Sequence, residues 1–179
     1  KQPMTSVLYL LVAALLVAVD QGIKYLVVSQ LAPVHSVQAI PGVLNFTYVE
    51  NYGAAFGIFR GQVVFLVVLT AAILLVMIYL VLAKKIRHPV GNWGICLVAA
   101  GGVGNLIDRL ARGFVVDYLD ISPLFSYPVF NFADCCVVCG TALIAIYILV
   151  LEGRQHHSHG IKEIPPQDAE NHREATDEP

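Results

Sequence analysis

Residues 104–134 read GNLIDRLARGFVVDYLDISPLFSYPVFNFAD. One long apolar run enters this stretch and another leaves it, and between them stand four carboxylates, Asp108, Asp117, Asp120 and Asp134. Residues 1–151 hold only two other acids, Asp20 and Glu50. A carboxylate beside bilayer hydrocarbon is costly and is kept where function needs it. Two that converge cannot both ionise cheaply, so they can share one proton and do acid–base chemistry.

The flanking runs set the class. The chain has 179 residues, 57% of them hydrophobic and 13% charged, with a mean hydropathy of +0.69. A water-soluble domain of this size needs more polar surface than that. Four apolar segments follow, at about 6–28, 61–83, 90–110 and 129–151, each long enough to cross ~30 Å of hydrocarbon. Backbone polar groups in lipid must bond within their own segment, so each segment is read as a helix. The expected fold is an all-α membrane protein of four transmembrane helices with a small extracytoplasmic β-containing element. The peptide between the first two helices, about 29–60, and that between the last two, 111–128, are expected outside the membrane. In the former, Leu44–Val49 is β-branched and aromatic with partial alternation, and is read as a strand.

Charge supports this division. The net charge of −2 splits into +2 over residues 1–151, with eight bases against six acids, and −4 over 152–179, with three bases against seven acids. The body offers no basic face for nucleic acid. Residues 1–152 form one membrane domain, and 153–179 read as a disordered polar cytoplasmic tail. Its His156, His157 and His159 have no zinc-site spacing with cysteine. Lys84, Lys85 and Arg87 between the second and third helices, with Lys1 and Arg154, put both termini on the cytoplasmic side. The first segment is read as a retained span, since no A-x-A site follows and Asp20 and Lys24 continue the helix. The chain opens on Lys1 rather than Met, so either a recombinant or a processed start is expected.

Helix rise then places the acids in depth. Asp134 stands 18 residues before Glu152, a rise of about 27 Å. Asp108 stands 21 residues beyond Arg87, roughly 30 Å if helical throughout. Both arrive near the outer interface, and Asp117, in the short link between the last two helices, lies on that side too. Asn105 can share a face with Asp108 and Arg109, Asn131 precedes Asp134 by three, and Asp20 and Lys24 are spaced as an intrahelical ion pair. Asp108–Arg109 reads equally well as a structural pair or as an Arg109 free for a substrate carbonyl. Asp120 carries no assigned role and is expected to face water.

Other chemistries fit poorly. No H-E-x-x-H is present for a metalloprotease. The serine within a span, Ser6, has no nearby base. Cys96, Cys135, Cys136 and Cys139 all fall in apolar segments, where cysteine behaves as a small hydrophobe. Gly101, Gly102 and Gly104 follow no strand, so helix packing explains them better than phosphate binding. A proton-coupled transporter subunit would spread its acids through the bilayer depth, and a scaffold would not need the polar cluster.

The motifs Asp20-Gln21-Gly22-Ile23-Lys24, Asn51-Tyr52-Gly53-Ala54-Ala55-Phe56-Gly57, Gly104-Asn105-Leu106-Ile107-Asp108-Arg109, Val115-Val116-Asp117-Tyr118 and Phe130-Asn131-Phe132-Ala133-Asp134 closely resemble, in this order and spacing, those of bacterial lipoprotein signal peptidase (signal peptidase II). The resemblance covers residues 7–151. It implies a metal- and cofactor-free aspartic endopeptidase of the bacterial cytoplasmic membrane, cutting prolipoproteins before a diacylglyceryl-modified cysteine. It implies Asp117 and Asp134 as the catalytic pair. Asn51, Asn105, Arg109 and Asn131 would line the substrate site, and Asp20, Lys24, Asp108, Gly53 and Ala133 would support it. It further implies a monomer among membrane lipids, open to cyclic-peptide inhibitors, with its active site near the extracytoplasmic face.

Overall fold

The computed structural model describes residues 2–54, 57–83, 85–86 and 88–152. The 153–179 tail, the loop cations Lys84 and Arg87, Lys1, and residues 55–56 of the glycine-rich motif lie outside the described residues. Among the described residues four helices carry the fold: α1 (Gln2–Leu26, continued by a wider π-type turn Val27–Leu31), α2 (Val63–Leu82), α3 (Pro89–Arg112) and α4 (Phe132–Ile146, continued by a similar turn Tyr147–Glu152). All four are long and apolar enough to cross a membrane, with mean hydropathy from 1.4 in α3 to 3.1 in α2. Their outer faces carry bare hydrocarbon, with Leu10 71% and Val64 77% exposed. A protein surrounded by water would not tolerate so continuous an apolar surface.

Local sequence sets the helix ends. His88 caps α3 by accepting the Val90 N–H, with Pro89 in the first helical position, where its missing N–H costs nothing. Gly113 ends α3 at φ 82°, a left-handed conformation that glycine adopts without strain. Asn131 and Asp134 form a reciprocal capping box at the start of α4, so α4 begins at Phe132 although the apolar run starts earlier.

Between α1 and α2 lie strands β1 (Ser36–Ile40) and β2 (Leu44–Asn51), joined by a tight turn through Pro41-Gly42. Between α3 and α4 lies β3 (Val115–Asp120). The three form one antiparallel sheet in the order β1-β2-β3. The strand read from Leu44–Val49 is present and runs two residues further. The link that carries Asp117 is itself a strand, since β2 supplies backbone partners at Val115, Val116 and Asp117. Because β2 and β3 leave and re-enter helices at the same end, the sheet caps one end of the bundle.

α3 is the central helix and packs on α1, α2 and above all α4. Lipid supplies no hydrophobic drive between helices, so close backbone approach must hold them together. A Cβ at Gly94 would stand 2.8 Å from the Gly140 carbonyl oxygen, and one at Gly140 would stand 2.6 Å from that of Gly94. α2, with no charge and few buried residues, packs chiefly on α3 among the described residues.

Gly94→Leu is therefore expected to pry α3 from α4 and lower the melting midpoint in detergent by several degrees, a cost of about 1–3 kcal/mol for overpacking. Gly22→Ala, where nothing lies within 4 Å, should leave it unchanged or raise it, because alanine is the better helix former.

Candidate active site

Where the sheet meets the bundle, a cleft of about 440 Å³ opens. Asn51, Gly53, Asn105, Arg109, Asp117 and Asp134 line its polar side, and Phe130, Val137 and Val138 its apolar side. Asp117 is delivered by β3 and Asp134 by the first turn of α4. Both aspartates expected to act together do share one cavity.

Amide groups hold each carboxylate. Asp117 accepts from Asn51 Nδ2 at 2.9 Å through one oxygen and from Asn131 Nδ2 at 2.6 Å through the other. Asp134 accepts from Asn105 Nδ2 at 2.8 Å and from the Asn131 backbone N–H at 3.2 Å. Asn131 is wholly buried; it stands behind the pair and links it, while Asn51 and Asn105 reach the cleft itself. The Asn51 oxygen accepts the Gly53 N–H at 2.9 Å, which leaves the Asn51 NH2 aimed at Asp117. Burial, with the neighbouring Asp134 charge added, pushes the Asp117 carboxyl up to about 7.

Arg109 rises from α3 over the same cleft and donates to the Gly53 carbonyl oxygen at 2.9 Å. It does not pair with Asp108: that carboxylate turns away to Lys24 at 2.9 Å and to Arg112 one turn on. Gly53 is confined to glycine by proximity, since a Cβ there would stand 2.9 Å from the Ile58 carbonyl oxygen. At the rim, Glu50 accepts from Tyr48 at 3.0 Å and Tyr52 at 2.7 Å. Burial and this bond to Glu50 push the Tyr48 hydroxyl up to about 12.

Beneath the cleft lies a second polar layer. The expected Asp20–Lys24 ion pair is present at 3.0 Å, with Lys24 fully buried. Gln21 donates to the Gly104 carbonyl oxygen at 3.1 Å, the Ala133 N–H donates to Asp20 at 3.2 Å, and the Val116 N–H to Asp108 at 3.1 Å. A Cβ on Gly104 would stand 2.5 Å from Asp20, so only glycine lets that carboxylate reach its partners. Arg112 and Gln21 were not foreseen as parts of this layer, although the i, i+4 spacing of Asp108 and Arg112 was a readable signal.

One expectation fails. Asp120 does not face water; it is buried. It accepts from the Thr47 hydroxyl at 3.0 Å and the Ser122 N–H at 2.9 Å, and the Ser122 side chain, ahead of these bonds, holds its carboxyl below the usual range. Antiparallel pairing sets Asn45 opposite Asp120, a cross-strand geometry invisible along the chain. The cysteines stay free: Cys96 and Cys136 are buried, and Cys139 is exposed on the outer face of α4.

The chain is similar to proteins already known. It is 43% identical over 148 residues to a lipoprotein signal peptidase of Clostridioides difficile, covering 82% of this chain and 98% of that one. It is 38% identical over 146 residues to a lipoprotein signal peptidase of Enterococcus faecalis, covering 82% and 90%. Two solved bacterial membrane enzyme structures superpose at a TM-score of 0.72 each, at 32% and 34% identity. They span 87% and 84% of this chain, and 93% and 96% of theirs. Residues 12–150 match the family described as Signal peptidase (SPase) II, and the chain, a bacterial membrane protein, belongs to that family.

Proposed function

We propose that the protein is an aspartic endopeptidase that removes signal peptides from prolipoproteins, cleaving before the diacylglyceryl-modified cysteine. The observation that carries this reading is the convergence of Asp117 and Asp134, from a strand and a helix, on one partly apolar cleft. Each carboxylate is held by amide N–H groups, and both line the cleft. The relatives' names supply the substrate class.

The chemistry follows from one proton shared by two carboxyls. The ionised member takes a proton from a water lying between them, and the resulting hydroxide attacks the peptide carbonyl carbon. The protonated member donates to the carbonyl oxygen as it gains charge. As the tetrahedral carbon collapses, a carboxyl returns a proton to the departing nitrogen, and the C–N bond breaks. Arg109 and the Asn51 and Asn105 amides sit where they can hold backbone carbonyls of an extended peptide. No metal or cofactor takes part in this reading.

The site's place at one end of four membrane-length helices suits a lipid-anchored substrate. Its acyl chains stay in hydrocarbon while the bond beside the modified cysteine meets water at the interface. The outer end would carry the sheet and the cleft, with both termini on the cytoplasmic side, and the enzyme would act as a monomer. A cyclic peptide offering carbonyls to Arg109 and a hydroxyl to the aspartates would compete for the cleft.

Two outcomes are expected. With purified diacylglyceryl prolipoprotein and a gel mobility shift as readout, Asp117→Asn or Asp134→Asn should each lower turnover about 10³-fold or more. Near-normal turnover in either variant would remove that residue from the pair. The pH–rate profile should fall through about 7, where Asp117 gives up its proton and the pair loses its acid. Well above that pH the rate should drop about tenfold per unit. Activity still rising at pH 9 would contradict a shared proton.

A further inference from the structure

We infer that Lys24 is a positioning residue for the cleavage: its buried ammonium dictates which way the Asn105 carboxamide faces, and thereby presents an N–H to Asp134. This rests on the reading of the aspartate pair above and adds a group that touches neither aspartate.

A carboxamide is nearly symmetric in shape, so only its partners decide which end is oxygen. The Asn105 oxygen accepts from Lys24 Nζ at 2.9 Å and from Asn131 Nδ2 at 3.2 Å, while its NH2 donates to Asp134 at 2.8 Å. An ammonium has three donors and no acceptor, so it can face the oxygen alone. Flipping the amide would set NH2 against two donors and oxygen against a carboxylate. The other two protons of Lys24 go to Asp20 at 3.0 Å and Asp108 at 2.9 Å. Three donors thus meet three acceptors, and the ammonium cannot turn aside.

The second amide is set independently. The Asn131 oxygen accepts the Asp134 N–H at 3.0 Å as the α4 cap, so its NH2 must face Asn105 and Asp117. The Asn105 oxygen therefore lies between two donors, of which Lys24 carries the full charge. The ammonium also acts on the pair through space. Lys24 from α1 favours the ionised form of Asp117, Arg109 from α3 lies over the same cleft, and Asp20 and Asp108 face Lys24 itself. Lys24, paired with Asp20 on its own helix, also ties α1 to α3 through Asp108. Loss of one partner from a buried ion pair is destabilising, so the test separates that structural role from the effect on the aspartate pair.

The test is a double-mutant cycle on the purified, detergent-solubilised enzyme, with diacylglyceryl prolipoprotein as substrate. Lys24→Met should lower kcat about 10²-fold, the usual cost of a misaligned catalytic group, with KM unchanged. The alkaline limb of the pH profile should move to higher pH, because a cation near the pair has gone. In an Asn105→Ala background the same substitution should cost less than about twofold. Equal losses in both backgrounds, an unmoved limb, or full turnover in Lys24→Met would overturn the assignment. Should Lys24→Met not yield a monodisperse protein, Asp20→Asn with Lys24→Met removes one charge of each sign and enters the same cycle. Failure of both to fold would make Lys24 a stability residue and also overturn it. If Asp117→Asn or Asp134→Asn retains activity, the aspartate reading fails instead; if both are inactive and the cycle is additive, only the role of Lys24 fails.

Discussion

The buried ammonium of Lys24 is the contact on which most of this structure hangs. A lone charge in a low-dielectric interior is prohibitively costly, so it must be matched and fully hydrogen-bonded. Asp20 and Asp108 match it, Arg112 restores neutrality, and each carboxylate then reaches one element further. Asp20 takes the Ala133 N–H at the start of α4, and Asp108 takes the Val116 N–H of β3. The Asn105 oxygen completes the set. One cation on α1 thereby fixes the relative positions of α1, α3, α4 and β3, the elements that bring Asp117 and Asp134 to one cavity.

That arrangement depends on how closely helices approach. Gly94 against Gly140 brings the α3 and α4 backbones together, and Gly104 opens room for Asp20 beside α3. Packing of small residues does here what apolar burial does in water-soluble proteins. The polar layer then adds direction. Apolar contacts are indifferent to rotation by a few degrees, whereas an ammonium facing three oxygens is not. α2 carries no charge and packs on α3 beside Gly102, which faces its Leu74 and Thr70.

The two layers differ in their partners. Below, cations face carboxylates one for one. In the cleft, Asp117 accepts from neutral amides, and burial together with the Asp134 charge favours its protonated form. A carboxyl that keeps a proton near neutral pH can serve as an acid, whereas one locked against a cation cannot. The same side chain type thus meets two environments a few residues apart.

Much of this could be read along the chain. Four membrane-length helices follow from apolar run length alone, because hydrocarbon forces each segment to satisfy its own backbone. The capping signature of Asn131 and Asp134, the i, i+4 pair Asp20–Lys24 and the strand from Leu44 are likewise local patterns, and local patterns survive folding. The motifs around Asp117 and Asp134 mark the candidate site along the chain itself. Other features arise only between segments. β3 is a strand because β2 lies beside it; Asp120 is buried because Thr47 and Asn45 come from across the sheet; Asp108 chooses Lys24 and Arg112 over its neighbour Arg109 because α1 occupies that face. The direction of the Asn105 amide is of the same kind. Sequence determines which groups are available and at what depth. Which donor meets which acceptor is decided where chain segments far apart in sequence come within 3 Å.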